Sequence, residues 1–415
     1  MKKTFFVLSL GCFRNLYDSQ IIIQEYLNKG FKLRKEPEEV DLLIINTCGF
    51  IKEAKEESIS AIKEALKLKK KRKIKRVCVR GCLVSRYFKQ LKYYFPQVDE
   101  WEGILSTENK AYFFKKRLTP PHIAFLKICD GCLYNCSFCA IPLIKGKLKS
   151  RSYPAIIEEV KFLDKEGVKE LNIIGQNTTS WGKDLYKDKD LVFLLKKILK
   201  NTKNIKWIRL LYLHPQEITD ELLDLIANEK RLCKYIDLPI QHISDRILRL
   251  MNRKMTKKEI LRLIKKIRKK IPQVALRTSI IVGFPSETET EFFQLLEFIK
   301  KVKFEKLGAF IYSREENTPA YKMKPQIHYQ VKKRRFNQLM QIQKEISYQL
   351  NKRFIGKRIG VIIDSKEEEN LYLGRAQFDC YEIDGLVYVK RKNLKVGQIY
   401  EIKIVDAYEY DLVGE

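Results

Sequence analysis

Apolar and polar positions alternate between two periods along the first 115 residues. Residues 4–10, 40–46 and 76–80 are short apolar runs, whereas 18–27 and 52–68 carry apolar positions at helical spacing. Strands separated by helices need crossover connections, so this part predicts a parallel sheet. A Thr119-Pro120-Pro121 loop breaks the pattern. Six strand-like runs follow, at 123–128, 170–174, 207–213, 235–240, 274–282 and 306–312. Helical patterns at 155–165, 191–199, 218–228, 257–270 and 287–302 lie between them, which predicts a partial (β/α)6 barrel. Residues 329–351 read as one long basic helix. Short alternating runs at 361–363, 371–373, 386–389 and 401–405 then predict a small antiparallel β-barrel. The chain reads as α/β, with domains expected at 1–118, 119–352 and 353–415.

Composition adds a charge argument. The 415 residues hold 82 Lys+Arg against 51 Asp+Glu, a net charge of +31, which favours an anionic partner such as nucleic acid or a ribonucleoprotein. The excess is uneven. Residues 354–415 carry nine Lys/Arg and twelve Asp/Glu, net −3, which leaves +34 on the rest. A small barrel appended to grip phosphates would be basic, and this one is not. No apolar run reaches the ~20 residues of a membrane span. The apolar opening stops at Gly11-Cys12-Phe13-Arg14-Asn15 without a small-residue cleavage site. A cytoplasmic protein without a membrane partner is expected. In a reducing compartment its ten cysteines point to metal binding or catalysis rather than disulfides.

The densest set is Cys132-Leu-Tyr-Asn-Cys136-Ser-Phe-Cys139, just after the first barrel strand, on the face where such barrels build their sites. Three thiolates can hold three irons of a cubane and leave the fourth open to the amino and carboxylate groups of S-adenosylmethionine, whose reductive cleavage yields a radical. Including Cys129 gives C-x2-C-x3-C-x2-C, too compact for a zinc ribbon and in the wrong order for a ferredoxin run. Cys129 also ends an apolar strand, where a buried thiol is ordinary. A second set is dispersed: Cys12, Cys48 and Cys82 each follow a predicted strand. Parallel strands deliver their C-terminal loops to one edge, so the three converge as a candidate second cluster site. Gly11, Gly49 and Gly81 beside them allow close approach. The plain alternative is three unrelated structural cysteines. Cys78 reads as core, and Cys233 and Cys380 have no partner pattern.

Gly175, Gln176 and Asn177 end the second barrel strand, and Gly283 to Glu287 follow the fifth. On the expected active face these are candidate cofactor contacts, with turn and cap chemistry as the alternative. Arg209, in an otherwise apolar strand, is a candidate for a cofactor carboxylate or for half of a buried ion pair. Gln241 and His242 are candidates for the substrate mouth. No catalytic residue is assigned beyond the cluster ligands.

These motifs resemble the radical-S-adenosylmethionine methylthiotransferases over essentially the whole chain. The matching pieces are Ser9-Leu-Gly-Cys12 with Asn15 and Asp18-Ser19, Asn46-Thr-Cys-Gly-Phe-Ile51, Gly81-Cys82 and the barrel trio. The resemblance implies a cluster domain, a radical core and a C-terminal TRAM barrel. It also implies S-adenosyl-L-methionine and two [4Fe-4S] clusters as cofactors. By that resemblance Cys12, Cys48 and Cys82 hold a sulfur-delivering auxiliary cluster, and Cys132, Cys136 and Cys139 the radical-generating one. Cys129 is extra to the family pattern. Residues 46–58 and 139–144, Asp237-Leu-Pro-Ile-Gln-His242 and Tyr312-Ser-Arg-Glu-Glu-Asn-Thr-Pro-Ala320 resemble one branch. That branch methylthiolates the β-carbon of an aspartate in small-subunit ribosomal protein S-twelve, and the resemblance implies this partner, free or within the ribosome. A transfer-RNA adenosine branch, which usually has Gln-Ser at Gln241-His242, is the second reading. A non-enzymatic iron–sulfur carrier or RNA-binding protein is the third. The acidic terminal barrel suits a basic ribosomal protein. The sulfur and electron donors are not legible.

Overall fold

Three β-systems are strung along the chain in the computed structural model, which describes residues 2–106 and 108–415. The first comprises β1 Thr4–Ser9, α1 Phe13–Asn28, β2 Lys32–Leu33, β3 Val40–Thr47, α2 Lys52–Lys70, β4 Ile74–Gly81, α3 Cys82–Tyr94 and β5 Glu100–Glu102. Its strands form a parallel sheet in the order β2-β1-β3-β4-β5. β3 is buried almost throughout, as a central parallel strand covered on both faces must be. Register decides the function of this sheet. Ser9 pairs with Asn46 and Thr47 with Gly81, so β1, β3 and β4 end at one level and their following loops share one edge. The two edge strands and α3 were not predicted. Strands of two and three residues carry no readable period, and α3 buries only Leu83, Val84 and Leu91.

The second system starts at β6 Ile123–Lys127. A two-stranded ribbon (β7 Cys129–Asp130 with, further on, β8 Lys149–Ser150) and the single turn α4 Ile141–Ile144 frame the cysteine loop. The barrel continues through α5 Tyr153–Lys165, β9 Glu170–Ile174, α6 Leu191–Asn201, β10 Trp207–Leu210, α7 Asp220–Asn228 and β11 Tyr235–Asp237. It closes with α8 Asp245–Leu250, α9 Lys257–Lys270, β12 Ala275–Val282, α10 Glu289–Val302 and β13 Lys306–Ile311, before the long helix α11 Tyr329–Lys352. Two three-stranded parallel sheets, β10-β9-β6 and β11-β12-β13, meet at the Ile208–Leu232 bridge. Six parallel strands in chain order are the predicted partial barrel. β10 and β11 stop three residues earlier than expected because the chain then peels inward. Tyr212 and Gln241 take positive φ (60° and 72°) and line a cavity.

The third system is a closed barrel of β14 Arg358–Glu368, β15 Leu371–Ala376, β16 Val387–Lys390, β17 Ile399–Ala407 and β18 Leu412–Gly414. β18, three residues long, was not predicted. This barrel docks against the interior of the (β/α)6 unit. Ile362 and Cys380 join Phe125, Ile174, Trp207, Leu211 and Tyr235 in one apolar cluster that also takes Tyr17 from α1. Charge is buried with it. Arg209 pairs with Glu170 (3.1 Å) and donates to Gln377 O (2.8 Å), while Arg375 bridges Glu170 (2.7 Å) and Asp364 (2.6 Å). Burial pushes the Glu170 carboxyl up, but the two arginines hold it below its ordinary range. Arg209 is therefore a structural residue of the barrel floor and not a cofactor contact. Asp379 pairs with Lys306, and Asp384 accepts from the Tyr235 hydroxyl (2.7 Å). Three carboxylates of the acidic barrel thus point inward, and its outward negative charge is concentrated at exposed Glu367, Glu368 and Glu369. Among the described residues no helix is long and apolar enough to cross a membrane.

Candidate active site

Cys12 and Cys48 lie in the loops after β1 and β3, Cys82 opens α3 directly after β4, and the motif residues around them act as braces. Asn15 Nδ2 donates to Leu10 O (2.6 Å) and Asn46 O (3.1 Å), and Asn46 Nδ2 returns a bond to Asn15 O (2.9 Å). Ser58 accepts from Cys48 N (3.0 Å) and donates to Cys48 O (2.9 Å). A Cβ on Gly11 would fall 2.7 Å from Cys48 Cβ, and one on Gly49 would fall 2.7 Å from Leu83 Cα, so both glycines are needed for the loops to nest. Cys12, Cys48 and Cys82 are brought close enough that Cys12 acts on the ionisation of Cys48, and both act on that of Cys82.

Burial pushes the Cys12 thiol up, but the adjacent Arg14 guanidinium and N–H donors hold it below its ordinary value. Burial raises Cys48, and raises Cys82 to about 12. In the barrel loop, burial raises Cys132, and raises Cys139 to about 12. Sulfur acceptors there already meet donors: Tyr134 N to Cys132 Sγ (3.4 Å), Ile141 N to Cys139 Sγ (3.5 Å) and Arg253 Nη1 to Cys136 Sγ (3.9 Å). Such donors suit sulfurs that carry negative charge on a cationic centre, and binding one would release the thiol protons. Among the described residues the one trio at single-ion spacing is Cys78, Glu100 and Glu102, whose carboxylates are paired with Arg76 and Arg80. The two cysteine trios are spread wider, which fits a multi-iron cubane better than one ion.

The barrel trio opens on a cavity of about 530 Å³ that the loops carrying Cys12 and Cys48 also line, although Cys12, Cys48 and Cys82 themselves do not. Cys132, Cys136 and Cys139 line one wall, and the Cys12 and Cys48 loops send Arg14, Phe50 and Ile51 into the other. Two ionic clamps fasten the walls together. On one side Asp18 pairs with Lys127 and with Lys145 (3.0 Å), which also reach Asp130 (2.6 and 3.4 Å). On the other, Glu315 pairs with Arg86 (2.6 Å) and Lys55 (2.9 Å), and Tyr87 donates to Glu316 (2.5 Å).

Gln176, Asn177 and Gln241 line the cavity as expected from their positions. Five other candidates do not. Gly175 packs under the loop, where a Cβ would meet Cys129 Sγ at 2.6 Å. Gly283 N donates to the Glu287 carboxylate, which is fully buried against Arg335 (3.2 Å) and His242 (3.5 Å). Gly283, Glu287 and His242 therefore form an internal brace, and Arg209 lies on the floor described above. Cys129 is fully buried in the barrel core and donates to Asn177 O (3.5 Å). Cys129→Ala is expected to leave iron content after anaerobic reconstitution unchanged, and a loss of about four irons would make it a ligand.

Arg14, Tyr134, His214 and Arg253 line the cavity and were not singled out from the sequence. Tyr134 stacks on His214 (3.8 Å between centroids, 7°) and donates to Glu217 (3.0 Å). Burial and Arg253 lower His214 to about 3, so its ring is neutral at physiological pH. Arg14 sits inside the Cys12 motif, where a sequence signal existed. Arg253 follows a helix with no local motif.

Comparison with known proteins agrees with this arrangement. The model of the Radical SAM superfamily matches residues 126–299, that of uncharacterized protein family UPF0004 residues 4–103, and the TRAM domain residues 355–415. Among solved structures, the radical S-adenosylmethionine methyltransferase TsrM from Kitasatospora setae, bound to cobalamin and a [4Fe-4S] cluster, superposes with a TM-score of 0.55. It is 13% identical, covers 77% of each chain, and shows the fold alone. Barrel, cluster loop and preceding parallel sheet together define a radical-S-adenosylmethionine methylthiotransferase. The ribosomal protein uS12 methylthiotransferase RimO of Clostridioides difficile (strain 630) is 45% identical over 98% of this chain and 97% of its own. That of Aquifex aeolicus (strain VF5) is 44% identical over 98% and 96%. The chain belongs to the RimO family.

Proposed function

We propose that this chain methylthiolates the β-carbon of an aspartate in ribosomal protein uS12, with Cys132, Cys136 and Cys139 holding the radical-generating cluster and Cys12, Cys48 and Cys82 the auxiliary one. The observation that carries the reading is one cavity walled by Cys132, Cys136 and Cys139 on one side and by the Cys12 and Cys48 loops on the other, in a chain 45% identical to a uS12 methylthiotransferase. When bound, the two clusters supply reductive cleavage of S-adenosylmethionine and a source of sulfur. An unactivated C–H is beyond any side-chain base of ordinary pKa, which is why such a cofactor is needed.

The protein's own part is placement and exclusion. Phe50, Ile51, Phe138 and Ile281 give the cavity an apolar lining that keeps water from reactive groups. Asn177, anchored by Glu217 (2.9 Å), and Gln176 offer polar contacts on the radical side. The acidic tip at Glu367, Glu368 and Glu369 suits a basic ribosomal protein. The strongly basic remainder suits ribosomal RNA, so the charge pattern fits that protein both free and within a ribosomal particle. The sequence division 1–118, 119–352 and 353–415 serves as the corresponding set of cluster, radical and TRAM domains.

The test is a direct competition. Reconstituted enzyme is given a decoding-loop peptide of the ribosomal protein and transfer RNA, and both are analysed by mass spectrometry. A gain of about 46 Da on the peptide aspartate is expected, as SCH3 replaces H. Label on RNA alone would transfer the chain to the adenosine-modifying reading.

A further inference from the structure

Charge around the cavity does not balance. Of the carboxylates that line it, Asp237 is paired with Arg277 (2.9 Å), Glu315 with Arg86 and Lys55, and Glu53 is exposed at the rim. The two guanidiniums that line it, Arg14 and Arg253, have no carboxylate partner among the described residues. Arg253 is committed to Pro239 O (2.6 Å) and to Cys136 Sγ on the radical side. Arg14 belongs to the opposite wall. Its Nη1 donates to Gly175 O (3.1 Å), and its guanidinium lies over the Tyr212 ring at 4.5 Å. Neighbouring Phe13 stacks on Phe125 (4.1 Å), and Tyr212 N is held by Asp237 (2.9 Å), so both the loop and the ring beneath the guanidinium are fixed.

A guanidinium has five donors in a rigid fork; Arg14 gives one to Gly175 O and another to the Cys12 sulfur, and the remaining donors stay open among the described residues. A half-buried cation with open donors favours an anion, and a carboxylate fits the fork in two parallel bonds. Arg14 follows Cys12 by two positions and lines the cavity together with Cys132, Cys136 and Cys139, which places it between the trios.

We propose that Arg14 reads the side-chain carboxylate of the substrate aspartate and holds its β-carbon between the two cysteine trios. The inference rests on the function proposed above. A neutral isostere such as asparagine lacks the second anionic oxygen and is discriminated against at this point. Lysine at position 14 would keep the charge and lose the fork.

The test uses reconstituted enzyme and two peptides, one with the aspartate and one with asparagine in its place, with affinities from isothermal calorimetry. Wild type is expected to prefer the aspartate peptide by about 10- to 100-fold, the range for a hydrogen bond to a charged group. Arg14→Met should abolish that preference and Arg14→Lys should keep part of it, both at wild-type iron content. Absence of the preference in wild type, or its survival in Arg14→Met, would overturn the inference. So would the loss of about four irons in Arg14→Met, because Arg14 would then be a brace of the auxiliary site. These failures leave wild-type modification of the peptide intact, whereas failure of the underlying reading removes that product in wild type.

Discussion

Cys82→Ser is expected to abolish methylthiolation while S-adenosylmethionine cleavage continues. Cys82 is the first residue of α3 and closes the trio that the β1, β3 and β4 register assembles, whereas the barrel trio lies on a separate loop. Iron after reconstitution should fall from about eight to about four per chain. Residues that merely orient a metal ligand cost about 10- to 100-fold when replaced, so loss of a ligand should exceed about 100-fold in product. Cys136→Ser is the counterpart and should remove cleavage as well. Iron analysis, chromatography of the cleaved nucleoside and mass spectrometry of the peptide read the three quantities separately. Unchanged iron in Cys82→Ser would take this residue out of the ligand set.

Asp18→Asn should be the most destabilising single change at the seam between the sheet and the barrel. Lys127 and Lys145 are both buried and share Asp18 and Asp130 between them. Burial works against the Lys145 ammonium, and the two aspartates hold its pKa above the ordinary lysine value. Without the Asp18 charge, two ammonium groups are left with one carboxylate in a site closed to water. Breaking a buried pair in this way costs ~3–5 kcal/mol, more than the pair contributes relative to an apolar replacement. Denaturant unfolding of the variant should show that loss. A change below ~1 kcal/mol would mean that water reaches the seam and screens the charge, as at an exposed pair.

How far the sequence led differs from residue to residue. The trio Cys132, Cys136 and Cys139 is local, packed into eight positions, and its place after a barrel strand followed from one apolar run. Cys12, Cys48 and Cys82 are up to 70 positions apart, yet strand-then-cysteine recurred three times, and a parallel sheet turns that repetition into proximity. Gly283 and Glu287 misled for a physical reason. The end of a barrel strand has an inner and an outer side, and theirs closes on Arg335 of α11 instead of the cavity. Arg209 misled similarly, because a charged residue in an apolar strand shows that a partner exists without showing which. Its partners, Glu170 and Gln377, come from a neighbouring strand and from the terminal barrel 168 positions away.

Local pattern by itself determined the α/β class, the three successive β-systems and the two sets of cysteines, because strand and helix periods and short-range spacing are written in consecutive residues. Tertiary structure alone decided that the terminal barrel plugs the radical barrel, that ion pairs clamp the sheet over it, and that Arg14 and Arg253 face one cavity. Those outcomes depend on which side chains meet after distant segments pack. Pairing of buried charge across such distances leaves no period along the chain.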